Sequence, residues 1–426
     1  MKAGLLGGDA FRTPGVAAET AAEAVRSRLR ILVYPHELAM GGSQINALEL
    51  AGAVRDVGHD VFVFATKGVL LDKVQELNLP YIEAPQSRFA VDPATTRKLT
   101  ATVRELGIDL VHPYEWTAIL NTTFGPGLST GTNVVMTVLS MDVPDFLPRH
   151  LPLIVGTPAL ADMEARRRGN IHVVEPPIDT IFNKPRGIAA SRQELGVNEK
   201  TCVISIVGRL TTDLGKLGGV LAAINVVDRL LAHCDVTLVI AGDGEGYSQV
   251  RELAGRVNSS HGREVIRVLG NVLDPRAIYD AADIVLGMGS SALRGMAHAK
   301  PLIVQGRSGF WLTSSPETEE QFLRGGWFGA AGEGEAELEE ALTSLVSNPS
   351  RRELLGAYGR ALVEDRFSLG SAAERLLSIY HAQLSTPTRA TALATSLART
   401  GIETAKFRLV MKLLENTRAK HPAGGS

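Results

Sequence analysis

Cysteine is nearly absent from this chain: Cys202 and Cys234 are the two among 426 residues. Two cysteines give no disulfide framework, which suits a reducing cytoplasm. Cys202 lies in a strand-like apolar run with no metal-ligand spacing nearby, so it reads as a buried hydrophobe. An excess of one charge sign is also missing. With a net charge of −2 and a pI near 6.6, no global basic field points to nucleic acid. No apolar run approaches the length needed to span a bilayer. Residues 1–27 lack the continuous apolar core of a secretory signal and read as a partly disordered leader with a helical turn or two.

What is present is a long chain, 45% hydrophobic, with 43 glycines and no low-complexity block. That length suits two α/β domains better than one. The most informative stretch runs from Ala281 to Gln305, AADIVLGMGSSALRGMAHAKPLIVQ. It reads as a buried strand, a turn at Gly287-Met288-Gly289, a helix from Ser290, a break at Lys300-Pro301 and a second strand. Such an order marks a βαβ unit in a parallel sheet. Glycines at a helix start can serve as a phosphate seat, or simply make a tight turn.

The same alternation runs through both halves. A first strand, Arg28 to Tyr34, is followed by Pro35-His36-Glu37, the loop Leu38 to Ser43, a helix from Gln44 and a strand Val61 to Ala65. Further strands are expected at Tyr81 to Ala84, Ile108 to His112, Thr132 to Leu139, Leu153 to Gly156 and Ile171 to Val174. A polar stretch, Gly187 to Lys200, reads as a linker. Strands Cys202 to Val207, Val236 to Ala241 and Ile266 to Leu269 then alternate with helices. The economical architecture is α/β with two facing Rossmann-like domains, 28–186 and 187–385, and the ligand cleft between them.

Gly287-x-Gly289-x-x-Ala292 matches the looser dinucleotide fingerprint, but it comes late in the chain. The next strand ends at Gln305 rather than at an acid for a ribose diol, so an NAD reading fails on position and on partner. The ordered set Val207-Gly208-Arg209-Leu210, Lys216, Ala241-Gly-Asp-Gly244, Leu269-Gly-Asn-Val272 and the Ala281–Gln305 stretch fits something else. It resembles the C-terminal domain of retaining, family-4-type glycosyltransferases of the GT-B fold (glycosyl transferases group 1). The Pro-His-Glu, Gly41-Gly42-Ser43 and His112-Pro-Tyr-Glu115-Trp116 segments resemble the N-terminal domain of the same family. The likeness spans roughly Leu29 to Leu384, with a C-terminal helix crossing back.

The resemblance implies a transferase that moves a sugar from a nucleotide-activated donor to a hydroxyl acceptor with retention. It implies no metal and no cofactor beyond the nucleotide-sugar substrate. Arg209 and Lys216 match the pair that holds the donor diphosphate, although Leu214 stands where the family usually has the lysine. Gly41 and Gly42 match the loop over the phosphates, Gly244 a turn lining the cleft, and Asn271 and Val272 the turn that reads the base. Gly289, Ser290 and Ser291 fall at the donor helix start. His36, Glu115 and Trp116 become acceptor-side candidates, and His112 a catalytic one; each histidine could equally serve loop hydrogen bonding. Asp283 reads as a turn or cap.

One departure is large. Aligning Lys300-Pro301-Leu302-Ile303-Val304 with the family's strand puts Arg294 where relatives carry a Glu for the donor ribose. A cation cannot accept ribose hydroxyl hydrogens. Arg294 therefore reaches the diphosphate or a substrate carboxylate, or marks a non-catalytic sugar-nucleotide-binding relative or partner subunit. A GT-B nucleotide-sugar epimerase is a further alternative. The tail, 386–426, carries seven Lys/Arg against two Glu, with Ile402, Ala405, Leu409, Val410, Leu413 and Leu414 on one helical side. It would pack on the N-domain or a second subunit, or touch a membrane surface peripherally.

Overall fold

A computed structural model describes residues 28–140, 142–386 and 390–420; the leader expected over 1–27 lies outside the described residues. The strands are β1 (Arg30–Tyr34), β2 (Asp60–Ala65), β3 (Tyr81–Glu83), β4 (Leu110–Pro113), β5 (Asn133–Val134), β6 (Met136–Val138), β7 (Leu153–Val155) and β8 (Ile171–Val173) in the first half. The second half holds β9 (Cys202–Val207), β10 (Val236–Ala241), β11 (Ile266–Gly270), β12 (Ile284–Gly287), β13 (Leu302–Gln305) and β14 (Trp311–Thr313).

They form a five-stranded sheet in the order β3-β2-β1-β4-β5, a three-stranded sheet β6-β7-β8, and a six-stranded sheet β11-β10-β9-β12-β13-β14. All pairings are parallel except β13 with β14, an antiparallel edge. Continuous apolar runs such as Ile31-Leu32-Val33 and Leu238-Val239-Ile240 are buried on both faces, as helix-covered parallel strands must be. Each large sheet has the same relative strand order, so the fold is α/β with two Rossmann-like halves.

Helix boundaries follow local chemistry. Asp92 caps the helix Pro93–Leu106, accepting the Ala94 and Thr95 N–H groups at 3.0 Å each, and Gly107 ends it in the left-handed region at φ 58. The helix Gly42–Asp56 starts at Gly41 with no side-chain cap. On its buried side Leu48 and Ala51 share a core with Leu376 and Tyr380 of the helix Leu369–Ser385. That C-terminal helix crosses back to the first half.

Three expectations are corrected. Thr132 to Leu139 is not one strand: β5 pairs with β4, and two residues later β6 pairs with β7 in the smaller sheet. An apolar run buried throughout does not say which neighbour each half will find. Gly187 to Lys200 is not a linker either. It holds the helix Ile188–Glu194, anchored by buried Arg192, which donates to the carbonyls of Ala281 and Glu199 and to Asp283 Oδ2. Asp283 also accepts the Val203 N–H at 2.7 Å. The chain crosses between halves at Ile178, whose N–H bonds Phe367 O at 2.8 Å. There the two passing segments are tied by Glu175 to Arg366 at 3.0 Å. Third, the helices Glu335–Val346 and Pro349–Arg366 follow β14, where no element was expected.

Candidate functional site

In each large sheet the chain reverses its direction of strand addition once, between β1 and β4 and between β9 and β12. Beyond the carboxyl ends of such strands a crevice opens for ligands. His36, Gly41 and Gly42 follow β1, while Glu115 and Trp116 follow β4. Arg209 follows β9, Gly244 follows β10, exposed Asn271 and half-buried Val272 follow β11, and Gly289 and Ser290 follow β12. Tertiary structure thus gathers most of the candidate residues along two facing rims.

On the second-half rim the turn after β9 is built by mutual support. Leu210 N–H donates to Asp243 O at 2.9 Å, and Gly246 N–H to Leu210 O at 2.9 Å. Gly242, at φ 159, lies so close that a Cβ would stand 1.8 Å from Gly208 O. Only glycine permits that approach. Glu245 accepts from Thr212 through both its N–H at 2.9 Å and its hydroxyl at 2.7 Å. Lys216 opens the helix Lys216–Leu230 after Leu214 and Gly215, both at positive φ. Gln305 of β13 holds this start by donating Nε2 to Gly215 O at 3.1 Å and Lys216 O at 3.0 Å.

Arg209 and Lys216 converge on one carboxylate. Lys216 Nζ is 2.7 Å from Asp213 Oδ2 and Arg209 Nη2 is 3.6 Å from it. Partial burial pushes the Asp213 pKa up, yet hydrogen bonds from Lys216 and Thr211 and the two positive charges outweigh it, so the carboxyl lies below its ordinary value. Asp213 therefore holds, as an anion, the space between two cations.

The two glycine turns meet across the cleft: a Cβ built on Gly42 would lie 4.0 Å from Ser290 Oγ. The helices Gly42–Asp56 and Gly289–Ala297 thus begin side by side, and their positive ends point to one region. Gly289, at φ 54, donates its N–H to Trp327 O at 3.0 Å. Ser291, the next candidate, is engaged locally. Its hydroxyl turns back, donating to Met288 O at 3.0 Å and accepting the Met288 N–H at 3.3 Å. Arg294 reaches across to Glu49 Oε1 at 3.6 Å.

On the first-half rim, Glu115 sits at φ 63 and ties its own helix to two further segments. Oε1 accepts Ser43 Oγ and Leu139 N–H at 3.0 Å each, and Oε2 accepts Ser140 Oγ at 2.5 Å. Half-buried His36, at φ 66, has its pKa lowered by burial, with the charges of Glu37 and Glu115 pulling the other way. Trp116 is 37% exposed. Its ring packs edge-on to Phe146 at 5.9 Å and to Phe407 of the tail helix at 6.3 Å. The tail therefore packs on the first half, reinforced by the Ser396 hydroxyl, which accepts the Arg149 N–H at 2.8 Å.

His112 is not in the cleft. It is 1% exposed, with Nδ1 2.6 Å from Tyr380 Oη and Nε2 2.6 Å from Thr137 Oγ1. Burial takes its pKa down to about 3. With both nitrogens occupied and no access, it joins the crossing helix to the first half instead of touching substrate. A residue at a strand's end can face either the core or the cleft, and here the helix Leu369–Ser385 decides. Asp213 and Glu49 were not singled out from sequence, and Ser43 and Gln305 were named only as the end of a motif and of a strand. Asp213, three residues before Lys216, was readable as an ion-pair partner; the others meet their partners only through the fold.

Among the described residues no group of three or more His, Cys, Asp or Glu is arranged to hold a metal, and no helix is long and apolar enough to cross a membrane. Residues 201–348 match the family model described as Glycosyl transferases group 1. The second half is thus similar to the group 1 glycosyltransferases. The described residues have the GT-B fold, and solved glycosyltransferases align along nearly all of their own length. A glycosyltransferase from Rickettsia africae has TM-score 0.66 at 17% identity, covering 85% of this chain and 100% of that one. Anabaena HepE, solved with UDP-glucose, has TM-score 0.65 at 16% identity, covering 83% and 100%. The catalytic domain of Arabidopsis thaliana starch synthase IV, bound to ADP and acarbose, has TM-score 0.64 at 15% identity, covering 84% and 100%.

A curated relative is the GDP-mannose-dependent monoacylated alpha-(1-6)-phosphatidylinositol monomannoside mannosyltransferase of Corynebacterium glutamicum. It is 30% identical over 216 residues, 47% of this chain and 52% of that protein, so the chain spans about half the relative's length. The group 1 match covers Arg209, Lys216, Gly244, Asn271, Val272, Gly289, Ser290 and Arg294.

Proposed function

We propose that this GT-B chain transfers a sugar, with retention, from a nucleotide-activated donor to a hydroxyl acceptor bound on the Trp116 side of the cleft. The observation that carries the reading is the meeting of two helix starts, Gly42 and Ser290, on a rim that also bears the Arg209–Asp213–Lys216 cluster. A nucleoside diphosphate leaving group gains negative charge as the glycosidic bond breaks. Fixed cations and helix N-termini stabilise that charge more in the transition state than in the ground state. Arg209 and Lys216 provide the point charges, and the two glycine turns provide backbone donors without Cβ obstruction. Glu115 holds the Ser43 loop in place. His36 and Trp116 face the acceptor, the ring offering an apolar wall for a sugar or a lipid-linked group.

A panel of UDP, GDP, ADP and dTDP sugars, with NAD as control, tests this by thermal shift and then by transfer. A donor at about a hundred times its Kd stabilises by roughly 2.7 kcal/mol. Stabilisation by NAD alone overturns the reading. The second reading, a non-catalytic nucleotide-sugar-binding protein, is favoured by Arg294 at the family's glutamate position. Nucleotide-sugar binding with neither hydrolysis nor transfer to a broad acceptor set would select it.

Peripheral membrane contact is part of the proposal. The tail helix exposes Ile402, Phe407, Leu409 and Val410 beside exposed Lys406 and Arg408, a mixture suited to an anionic interface. Leu409→Glu together with Val410→Glu is expected to abolish sedimentation with phosphatidylglycerol vesicles. Unchanged sedimentation ends the membrane reading.

A further inference from the structure

Glu49 lies seven residues along the helix Gly42–Asp56, two turns behind the glycine loop, and its side chain is 10% exposed. Its Oε1 is 3.4 Å from Lys73 Nζ and 3.6 Å from Arg294 Nη2. Arg294 belongs to the opposite half, on the helix Gly289–Ala297, and is 18% exposed. Away from the crossover, where Glu175 meets Arg366, the halves are also paired by Arg324 with Asp162 at 2.7 Å, whose side chains are 63% and 62% exposed, so water screens that contact. Two helices that start beside each other and are linked again further along are held at two points. Their relative position sets the gap between the Gly41-Gly42 loop and the Gly289-Ser290 turn.

We propose that Arg294 and Glu49 form an interdomain latch that fixes the closed spacing of the two glycine turns, making Arg294 a positioning residue instead of a ribose ligand. The inference rests on the donor reading above. Charge explains why arginine stands here. A glutamate at 294 would face Glu49, setting two carboxylates against each other in a largely dry contact. Lys73 explains why the latch can open. When Arg294 moves away, Glu49 keeps a cation beside it, so opening leaves no buried charge without a partner, the situation that makes most broken interior pairs so costly. The pair thus favours closure without locking it.

The test uses the full chain with Arg294→Ala, Arg294→Glu, Arg294→Lys, Glu49→Ala and the double variant Glu49→Ala/Arg294→Ala. Small-angle scattering without nucleotide reads domain separation. Titration with the nucleotide sugar found in the panel reads binding, and steady-state kinetics separate KM from kcat. Arg294→Ala and Glu49→Ala should enlarge the radius of gyration and weaken donor binding roughly fivefold, with kcat at saturating donor nearly unchanged. Arg294→Glu should do more, Arg294→Lys should restore wild-type values, and the double variant should be no worse than either single. Unchanged scattering in both Arg294→Ala and Arg294→Glu overturns the latch. So do additive single effects, or weaker binding with unaltered scattering, which would place Arg294 on the donor itself. Absence of nucleotide binding by the wild type overturns the donor reading instead, and scattering judges the latch separately.

Discussion

Asp213→Asn should tighten nucleotide binding. In the free protein the Asp213 carboxylate lies 2.7 Å from Lys216 and 3.6 Å from Arg209, so it competes with a diphosphate for both cations and repels it as well. The side chain is 46% exposed, which limits each contact to the range of a surface pair, some tenths to about 1 kcal/mol. Two such contacts amount to about 1 kcal/mol, or roughly a fivefold fall in Kd. Asparagine preserves the acceptor for the Thr211 hydroxyl, so the turn keeps its shape while losing the charge. Calorimetric titration with a nucleoside diphosphate, at about 0.05 M and about 1 M salt, measures the effect. The Debye length shrinks from over 10 Å to about 3 Å between these conditions, and the advantage of the variant should shrink with it. Because the Asp213 pKa lies below its ordinary value, the aspartate is fully charged at neutral pH, and the difference should fade as pH drops toward that lowered pKa. Equal or weaker binding by Asp213→Asn at low salt would refute a diphosphate seat between Arg209 and Lys216.

His112→Gln should flatten the acid limb of stability. The folded histidine titrates at about 3 and the unfolded one near 6.5, so the unfolded chain binds an extra proton between these values. Wild-type stability then falls by about 1.4 kcal/mol per pH unit below 6.5 from this group, and denaturant unfolding at pH 7 and pH 5 should show that loss in the wild type and not in the variant. Gly219→Ala would place a Cβ 1.9 Å from Gln305 Nε2, displacing the bonds that hold the start of the Lys216 helix. A stability loss of about 1–2 kcal/mol and weaker nucleotide binding are expected, whereas wild-type behaviour in both assays would show that Gln305 is dispensable. Glu115→Ala removes the acceptor for Ser43, Leu139 and Ser140 and should cost about 2 kcal/mol. Glu115→Gly loses the same bonds but relieves the positive φ, so it should unfold about 1 kcal/mol later than the alanine variant; the reverse order would show that φ 63 carries no strain.

Strand and helix order was legible where patterns are local. β9, β10 and β13 run over the residues expected from their apolar runs, because buried parallel strands admit little else. Register between sheets was not legible. Val135 to Val138 could join either sheet by composition, and only the partner strands β4 and β7 decided. The helix Glu335–Val346 carries a readable apolar spacing at Leu338, Ala341, Leu342 and Leu345, whereas Pro349–Arg366 buries Gly356, Gly359 and Val363, which form no apolar stripe that a sequence would show.

The amino-acid sequence by itself determined the alternation that makes two facing sheets, the glycines at the strand ends, and the basic residues after β9. Each depends on neighbours within a few positions, which any reader of the chain can see. Tertiary structure alone decided which way side chains turn once elements pack. The crossing helix buries His112, the Met288 turn recruits Ser291, the tail helix covers one edge of Trp116, and Glu49 meets Arg294. Apart from the local Met288–Ser291 contact, those pairings join residues far apart in the chain, Trp116 and Phe407 the farthest, and they form only after the hydrophobic cores have brought the elements together.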